Sequence, residues 1–387
     1  MAHSNQRPLE GIRILSVEQY GAGPYGTMLL ADLGAEVIKI EDPSRGGDVS
    51  RSVGPYMLGE GDSEFFQTFS LGKKSVTLNL KSAEGRQQFE ALIKSADAVA
   101  NNLRGDQPDK LGLTYDALKN VNAKIVCAHL SAYGRQSERA AWPGYDYLMQ
   151  AEAGFMTMTG EPEGPPVRFG LSMVDFHTGS QMATALLAGL LGAQRTGEGC
   201  DVDVCLFDTA LHQQSYPATR YLNQGHVTGR LPRGAHPSIA PSQLVKTQDG
   251  WGLLMCQTPK FWDLWCKLTE TDLGQQERFA PIPARRENLA ALSDAVDQVM
   301  MTKTTADWLS ILGGSVPFAP VLDIGDARDS PYVQHGEKTA QVDHPEAANG
   351  VRTLASPFRI NGQRPPLTRA PKMGEHSAAL LPEDTPV

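Results

Sequence analysis

The first third of the chain alternates between short runs of β-branched and aliphatic residues and longer stretches whose apolar residues recur at helical spacing. The runs predict strands and the stretches predict helices. The predicted strands lie at 11–17, 35–41, 75–80, 98–100 and 124–130, and the helices lie at 20–33, 82–96 and 114–121. Strands that alternate with helices are typical of a doubly wound α/β fold with a parallel sheet.

The longest helical pattern lies within residues 170–199, which are rich in Ala, Leu and Gly. Its small residues, among them Gly179 and Gly192, allow other backbone to pack close to the helix. A strand over 200–206 and a helix over 208–222 follow. We therefore expect a large domain over residues 1–215.

The pattern changes beyond this point. Residues 225–241 are rich in Gly, Pro, His and Arg, which indicates a linker or an ordered loop. A strand pair with a turn at 248–250 begins at Gln243, and helices are predicted at 260–268, 286–301 and 305–312. These elements predict a smaller α+β domain over 225–325. The segment 330–387 has few periodic elements and is expected to run over a surface.

Composition narrows the class of protein. The net charge is −9 and the pI is about 5.5, so no excess of Lys and Arg is available for nucleic acid or an acidic membrane. No apolar run approaches the roughly 18–20 residues that span a bilayer, and the first eight residues lack a signal-peptide core. The five cysteines form no Cys-x-x-Cys pair, which predicts reduced thiols in a cytoplasmic protein without a zinc site.

One glycine motif indicates a nucleotide. Residues 21–26 spell G-x-G-x-x-G between a predicted strand and a helix, and Glu41 follows 20 positions after Gly21. This spacing matches the dinucleotide fingerprint, so an NAD-dependent oxidoreductase is one hypothesis. No later segment resembles a hydride-transfer site with its own acid or base. The spacing alone leaves open whether the glycines approach a phosphate or form a purely structural turn.

Asp175 is the candidate for catalysis. It lies in an apolar stretch where the long helical pattern begins, and a lone buried carboxylate is costly to desolvate. Asp also suits a helix N-cap, so the residues by themselves leave both roles open. His177 is close in sequence, but its side chain would diverge from that of Asp175 by about 200° in a helix, and we assign it a structural role.

Several short segments, taken together, resemble the class III CoA-transferases of the CaiB/BaiF family. The most recognisable is Ala-Asp-Leu-Gly-Ala-Glu-Val-Ile-Lys-Ile-Glu at 31–41. The others, in order, are 8–15, 47–51, 73–76, 111–113, 144–146, 150–154, 159–160, 175–179, 195–199, 236–237, 249–250 and 370–376. The resemblance implies a Rossmann-like large domain, a small α+β domain, a C-terminal segment that returns to the large domain, and a homodimer of interlocked rings.

The resemblance also implies a chemistry. The family nucleophile falls on Asp175, which would be acylated while CoA moves from an acyl-CoA to a small carboxylic acid. This exchange needs neither a metal nor a redox cofactor. Backbone N–H groups of Gln19, Tyr20 and Gly21 would lie near enough to stabilise an oxyanion.

Binding residues carry over in the same way. The resemblance assigns the CoA site to Tyr20, Gly21, Leu78, Lys81, Asn102, Leu103, Lys110, Tyr145 and Asp146. Lys81 and Lys110 would pair with phosphates, with Arg104 as a further candidate, although most lysines are merely solvated. The loop that carries His236 could face the substrate.

Three other functions remain possible at this stage. An α-methylacyl-CoA racemase shares the fold and the aspartate, but its partner histidine aligns with Tyr145, whose phenol is a poor base at neutral pH. An NAD-dependent oxidoreductase and a non-catalytic CoA-binding protein are the other two. Residues 144–179 resemble relatives that handle short dicarboxylic acids such as succinate, for which Arg168 or Arg233 would hold the second carboxylate.

Overall fold

The computed structural model describes residues 7–382. The strands are β1 (Arg13–Val17), β2 (Glu36–Glu41), β3 (Met57–Gly59), β4 (Asp62–Ser63), β5 (Lys74–Thr77), β6 (Ala98–Asn101), β7 (Val126–Ser131), β8 (Cys200–Cys205), β9 (Ser242–Lys246), β10 (Trp251–Met255), β11 (Phe318–Pro320), β12 (Thr339–His344) and β13 (Ala347–Leu354).

Helices connect these strands. They are α1 (Ala22–Asp32), α2 (Glu64–Ser70), α3 (Ala83–Ile93), α4 (Tyr115–Leu118), α5 (Asp146–Glu152), α6 (Phe155–Met158), α7 (Met173–Thr196), α8 (Leu206–Gln213), α9 (Ser215–Gln224), α10 (Pro259–Leu268), α11 (Ile282–Glu287), α12 (Leu289–Met300), α13 (Thr305–Leu312), α14 (Ile324–Asp329), α15 (Pro331–Gln334) and α16 (Ser377–Leu380). Short 3-10 turns lie at Pro43–Arg45, Val49–Ser52, Pro232–Gly234 and Leu273–Gln275.

A six-stranded parallel sheet forms the centre of the first half, as the alternating pattern predicted. Its strand order is β5-β2-β1-β6-β7-β8. Strands β6 and β7 are buried along their whole length, as is typical of central strands in a parallel sheet that is covered on both faces. The side chain of Ser82 accepts a hydrogen bond from the amide of Gly85 and so caps the N-terminus of α3.

Helices α1 and α7 touch at backbone distance. A Cβ atom on Gly179 would lie 2.4 Å from the carbonyl oxygen of Ala22, and one on Gly26 would lie 2.4 Å from the carbonyl oxygen of Gly179. Only glycine permits this approach at either position. The contact fixes the start of α1 against the first turns of α7.

The second half contains a three-stranded antiparallel sheet in the order β11-β10-β9. The predicted hairpin is present, because β9 pairs with β10 around the turn at 248–250. Its core includes the fully buried side chains of Trp262, Trp265 and Trp308.

Two predicted helices are each divided in two. The helix expected over 208–222 breaks into α8 and α9 at Ser215, which has a φ of 52°. The helix expected over 286–301 is replaced by α11 and α12, because Asn288 leaves the helical region with a ψ of 29°. Pro217 follows the break at Ser215 by two residues, and a proline inside a helical pattern is a signal for such a break. The apolar spacing continues across both breaks.

The C-terminal segment is more regular than expected. Strands β12 and β13 form an antiparallel hairpin with an irregular register between Val342 and His344. The nearby β3–β4 hairpin and the helix α2 also escaped prediction. These elements are short or lack a clean apolar alternation, which leaves too little signal in the sequence.

The contacts between Cα atoms group the chain into two compact units. One contains the described residues up to Ala153, Gly170–Gln214 and those from Tyr332 onward, and the other contains Gly154–Phe169 and Ser215–Pro331. The predicted boundaries 1–215, 225–325 and 330–387 remain a prediction, and residues 1–6 and 383–387 lie outside the described part. Residues 154–169 group with the second unit, where Arg230 donates to the carbonyl oxygen of Gly164.

No helix in the described range is long and apolar enough to cross a bilayer. Within residues 7–382, no cluster of three or more His, Cys, Asp or Glu side chains has the arrangement of a metal site. The five cysteines are all unpaired, and four of them are buried.

Candidate active site

A cavity of about 750 Å³ opens at the carboxyl ends of the parallel strands. Its walls come from the segments that follow β1, β6, β7 and β8, and Asp175 lies in the same lining. Strands β1 and β6 are neighbours in the sheet. The chain continues from β1 to β2 on one side of this pair and from β6 to β7 on the other side. Ligands bind at such switch points in open parallel sheets.

Asp175 occupies the first turn of α7, three residues after Ser172 at the N-cap position. Its side chain is buried, and among the described residues no hydrogen bond or ion pair reaches the carboxylate. Burial, and secondarily the negative charge of Asp146, raises the pKa of Asp175 to about 7. The pKa of Asp175 therefore lies well above the ordinary range of aspartate.

The N-terminus of α7 is capped from another helix. The Oδ2 atom of Asp146 accepts hydrogen bonds from the amides of Val174 and Asp175 at 2.7 and 2.9 Å. Ser172 makes no capping hydrogen bond with its side chain. The alternative in which Asp175 is itself the cap is thus wrong, because Asp146 supplies the capping oxygen.

The Asp175 carboxylate faces the glycine turn between β1 and α1. Its Oδ2 atom lies 3.5 Å from the place that a Cβ on Gly21 would occupy. Asp175 and Gly179 are four residues apart and share a face of α7, so the Gly179–Ala22 contact sets this distance. A larger residue at position 21 would fill the space beside the carboxylate.

Side chains hold the turn before α1 in a strained shape. Tyr20 has a φ of 70°, and its amide donates to Asp48 at 3.0 Å. The Asn102 side chain accepts from the amide of Gln19 at 2.9 Å and donates to its carbonyl at 2.7 Å. The amides of Gln19 and Tyr20 are therefore already engaged, so of the three expected oxyanion donors Gly21 remains the candidate.

Buried ion pairs lie beneath the turn. Lys39 contacts Asp48 at 2.6 Å and donates to the carbonyl oxygen of Glu18 at 2.9 Å. Lys73 contacts the Glu18 carboxylate at 2.8 Å, and burial lowers the pKa of Lys73 to about 8. These contacts hold the backbone of the turn in place.

The acidic residue of the dinucleotide fingerprint is engaged elsewhere. Arg51 donates to both oxygens of Glu41 at 2.8 Å, and Ser75 donates to Glu41 at 2.5 Å. Glu41 is buried, and although burial opposes it, the hydrogen bonds of Arg51 keep its pKa low. A carboxylate so enclosed is poorly placed to accept from a ribose hydroxyl, which argues against a dinucleotide site.

Most of the predicted binding residues come together at one end of the sheet. The cavity lining includes Tyr20, Gly21, Lys81, Asn102, Leu103, Arg104 and Tyr145. A smaller cavity adjoins it, because Lys81 and Leu103 line both, and Leu78 lines only the smaller one. Tyr145 is exposed and immediately precedes α5.

Two predicted binding residues lie outside both linings. Lys110 is largely exposed and forms an ion pair with Asp106 at 2.6 Å. Asp146 is buried, and its carboxylate is engaged by α7 and by Gln150. Asp106 and Lys110 are only four residues apart, so their pairing is compatible with the sequence spacing. The contacts of Asp146 with α7 join residues that are distant in sequence, and the sequence gave no sign of them.

Arg45 lines both cavities and is not among the residues that the sequence predicted. It lies in the 3-10 turn after β2 and is largely exposed, with its Nε atom 3.7 Å from Asp42. Its place just after the carboxyl end of a parallel strand is the signal that could have identified it. Arg45, Lys81 and Arg104 together give the cavity three positive charges.

The other candidates have local partners. His177 lies 3.3 Å from the Gln181 side chain. Arg233 forms an ion pair with Asp297 at 2.5 Å, so it is engaged within its own unit. His236 lies 3.4 Å from the Tyr216 hydroxyl, and burial lowers its pKa. Arg168 donates to the carbonyl oxygen of Phe169.

Comparison with known proteins identifies relatives along nearly the whole chain. Residues 9–377 match the model of CoA-transferase family III. An acyl-CoA transferase of Fusarium pseudograminearum is 34% identical, over 99% of this chain and 86% of the relative. The succinate–glutarate CoA-transferase of Agrobacterium fabrum and the acetyl-CoA:oxalate CoA-transferase of Acetobacter aceti are each 32% identical, over 97% of this chain and 95% of the relative.

A solved structure has the same fold. A CaiB/BaiF family protein from Brucella suis superposes with a TM-score of 0.83 at 31% identity. The alignment covers 97% of this chain and 99% of that protein. The mixed α/β fold with its parallel central sheet is therefore common to both.

Proposed function

The chain belongs to CoA-transferase family III, as the resemblance to CaiB/BaiF proteins predicted, and on this basis we propose that it moves CoA from an acyl-CoA to a free carboxylic acid through Asp175. The observation that carries the proposal is one carboxylate, buried and without a hydrogen-bond donor in the described chain, in a cavity lined by three cations.

The charges of the cavity suit the proposed substrate. The chain as a whole carries a net charge of −9, yet Arg45, Lys81 and Arg104 line the space around Asp175. Cationic side chains of this kind pair with phosphates, and CoA carries several. Asp175 is the acidic side chain in that lining, so it is the group available to react with a thioester.

In the proposed reaction the Asp175 carboxylate attacks the thioester carbonyl, which gives a mixed anhydride and releases CoA thiolate. The thiolate attacks the Asp175 carbonyl, and the first acid leaves. The second acid attacks the resulting aspartyl thioester and again displaces CoA thiolate. This thiolate attacks the new acyl carbonyl, forms the product thioester and restores the carboxylate.

The environment of Asp175 favours nucleophilic attack. A carboxylate with a raised pKa is more basic and hence a stronger nucleophile than an exposed aspartate. Each tetrahedral state carries an oxyanion, and the Gly21 amide at the start of α1 is the nearest proposed donor.

The direct test is to map the acylated peptide. Incubation with a range of acyl-CoA donors, followed by hydroxylamine trapping and peptide mass analysis, should modify the peptide that contains Asp175. Asp175→Asn should abolish both the adduct and the transfer, whereas Asp116→Asn, at an exposed carboxylate paired with Lys119, should leave both intact. A consumed donor with no modified peptide would falsify the mechanism.

Two alternatives are tested beside it. A racemase would exchange the α-proton of a 2-methylacyl-CoA for deuterium in the absence of an acid acceptor. A non-catalytic CoA-binding protein would bind CoA without forming the adduct. The structure offers an exposed Tyr145 where the racemase pattern has histidine, which favours the transferase.

The acids exchanged are proposed to be short dicarboxylic acids, with succinyl-CoA as a donor. Two of the relatives described above are named for succinate, glutarate or oxalate, which supports this choice. A matrix of acyl-CoA donors and acid acceptors, with products read by mass spectrometry, would test it. Activity confined to monocarboxylic or long-chain fatty acids would contradict it.

Membership of CoA-transferase family III also supports proposals on the architecture of the protein. Numbered within the sheet, the strands run 3-2-1-4-5-6, which supports a Rossmann-like description of the large domain. We propose an interlocked homodimer in the cytoplasm. Light scattering coupled to gel filtration should then give twice the 41.9 kDa of one chain.

A further inference from the structure

The carboxylates of Asp146, from α5, and Asp175, from α7, both lie near the N-terminus of α7, but their surroundings differ. Asp146 accepts the amides of Val174 and Asp175 with one oxygen and the side-chain amide of Gln150 with the other, at 2.5 Å. The carboxylate of Asp175, in the first turn of α7, accepts none of these hydrogen bonds. The end of the helix that would best stabilise a negative charge is thus occupied by Asp146.

This division bears on reactivity. Two amides and the positive end of a helix of 24 residues would hold an aspartate ionised and make it a weak nucleophile. Because Asp146 takes these interactions, Asp175 is left with a buried carboxylate beside another negative charge. The geometry also fixes Asp175, since its own backbone amide is one of the two donors.

We propose that Asp146 is a positioning residue that acts through Asp175: its carboxylate caps α7 in place of the N-cap side chain and keeps the nucleophile beside Gly21 without donors of its own. The proposal rests on the proposed function of Asp175. It also replaces the expected role of Asp146 in CoA binding, because this side chain lines neither cavity.

Several other titratable groups lie around Asp175. Those that line its cavity are Tyr20, Arg45, Lys81, Arg104 and Tyr145. His177 lies on α7 itself, and Tyr25 and Asp32 lie on α1, which packs against it. On the other packed elements the groups are Tyr147, Glu152, Cys127, His129, Cys200, Asp201, Asp203, Cys205, Asp208 and His212. Within the described chain, Asp146 is the charge that acts on the pKa of Asp175.

Two variants separate the contributions of contact and charge. Asp146→Asn keeps a capping oxygen but removes the charge, so the acid limb of the kcat–pH profile should move to lower pH while the KM for acyl-CoA stays unchanged. The plateau kcat should fall roughly 3- to 10-fold, because the nucleophile becomes less basic. Asp146→Ala removes both, and kcat should fall about 100-fold because the reacting group is misplaced.

Hydrogen exchange gives a second readout that needs no activity. The amides of Val174 and Asp175 should lose protection in Asp146→Ala and largely keep it in Asp146→Asn. A matched control is Asp249→Asn, because Asp249 accepts the amide of Thr305 at the start of α13 in the other unit at 2.8 Å. That control should leave the pH profile unmoved.

The outcomes are distinct. An Asp146→Asn enzyme with the wild-type pH profile and rate overturns the proposal, and so does a raised KM with unchanged kcat, which would indicate a binding role. If Asp146→Ala fails to fold, the Asp146→Asn profile still decides. If the wild-type protein transfers no CoA, the proposed function fails instead, and the exchange experiment still tests the capping contact.

Discussion

At the scale of single residues, close packing explains two glycines of the glycine motif, those at positions 23 and 26. A Cβ on Gly21 would make an ordinary contact of 3.5 Å with the Asp175 carboxylate, whereas a Cβ on Gly23 would lie 2.8 Å from the Cβ of Asn102. Gly26 meets the backbone of α7. The residue with positive φ is Tyr20, not a glycine. The motif therefore resembles a dinucleotide fingerprint in spacing, while close neighbours require the glycines at positions 23 and 26.

Asp175 should destabilise the fold as it ionises. Its pKa is raised from 3.8 to about 7, so between these values the unfolded chain releases the proton first, and the free energy of unfolding falls as pH rises. Asp175→Asn does not titrate and should be more stable than wild type above pH 7, by roughly 1.4 kcal/mol for each unit of the pKa difference.

Chemical denaturation at a series of pH values measures this effect. The stability gap between Asp175→Asn and wild type should be small near pH 4 and should grow until about pH 7. The exposed Asp116→Asn change should show no such gap. A gap that is independent of pH would mean that burial does not raise the pKa of Asp175.

At the scale of elements, the contact between α1 and α7 sets the site. Gly179→Ala would place a Cβ 2.4 Å from the carbonyl oxygen of Ala22 and force the two helices apart. The free energy of unfolding should fall by about 1–3 kcal/mol, as for other overpacked cores. Activity should fall as well, because Asp175 then shifts away from Gly21.

Gly192 provides the matched control on the same helix. A Cβ there meets nothing within 4 Å, so Gly192→Ala should stabilise α7 by about 0.5–1 kcal/mol and leave activity intact. Thermal denaturation and the transfer assay measure both variants. Equal effects of the two substitutions would show that helix propensity, and not the close approach, dominates at Gly179.

Element types were the most predictable feature of the chain. The strands of the parallel sheet were predicted from short apolar runs that alternate with helical patterns. The hairpin of β9 and β10 was predicted from the turn at 248–250. The break at Asn288 was not predicted, because the loss of a helical turn leaves no mark on hydrophobic periodicity. The break at Ser215 was also missed, although Pro217 in the same pattern is a signal for it. Most residues of the candidate site were predicted from the family resemblance. A resemblance indicates which residues belong to the site, but it does not show which side chains they contact.

At the scale of the whole molecule, the C-terminal segment covers an edge of the sheet. Strand β5 has β2 as its one neighbour in the sheet as described, and its Ser75 carbonyl accepts the amide of His376 at 2.9 Å. The amide of Thr77 donates to the Ser377 side chain at 3.1 Å. Uncovered edge strands can pair with other chains, so we expect this cover to protect the protein from aggregation.

Deletion of residues 370–387 should therefore expose β5 and promote aggregation, measured by static light scattering during a thermal ramp. The double variant His376→Ala with Ser377→Ala keeps the backbone contact to Ser75, so it should lower Tm slightly without aggregation. A monodisperse deletion variant with unchanged Tm would contradict the protective role.

The sequence by itself determined the sheet, the order of its elements, the family and the identity of Asp175 as the candidate nucleophile, because these depend on local spacing and short motifs. Only the tertiary structure decided what surrounds that carboxylate. The capping by Asp146, the packing of Gly26 on Gly179 and the enclosure of Glu41 all join residues distant in sequence. Such contacts arise from packing, and packing sets the burial and charge on which reactivity depends.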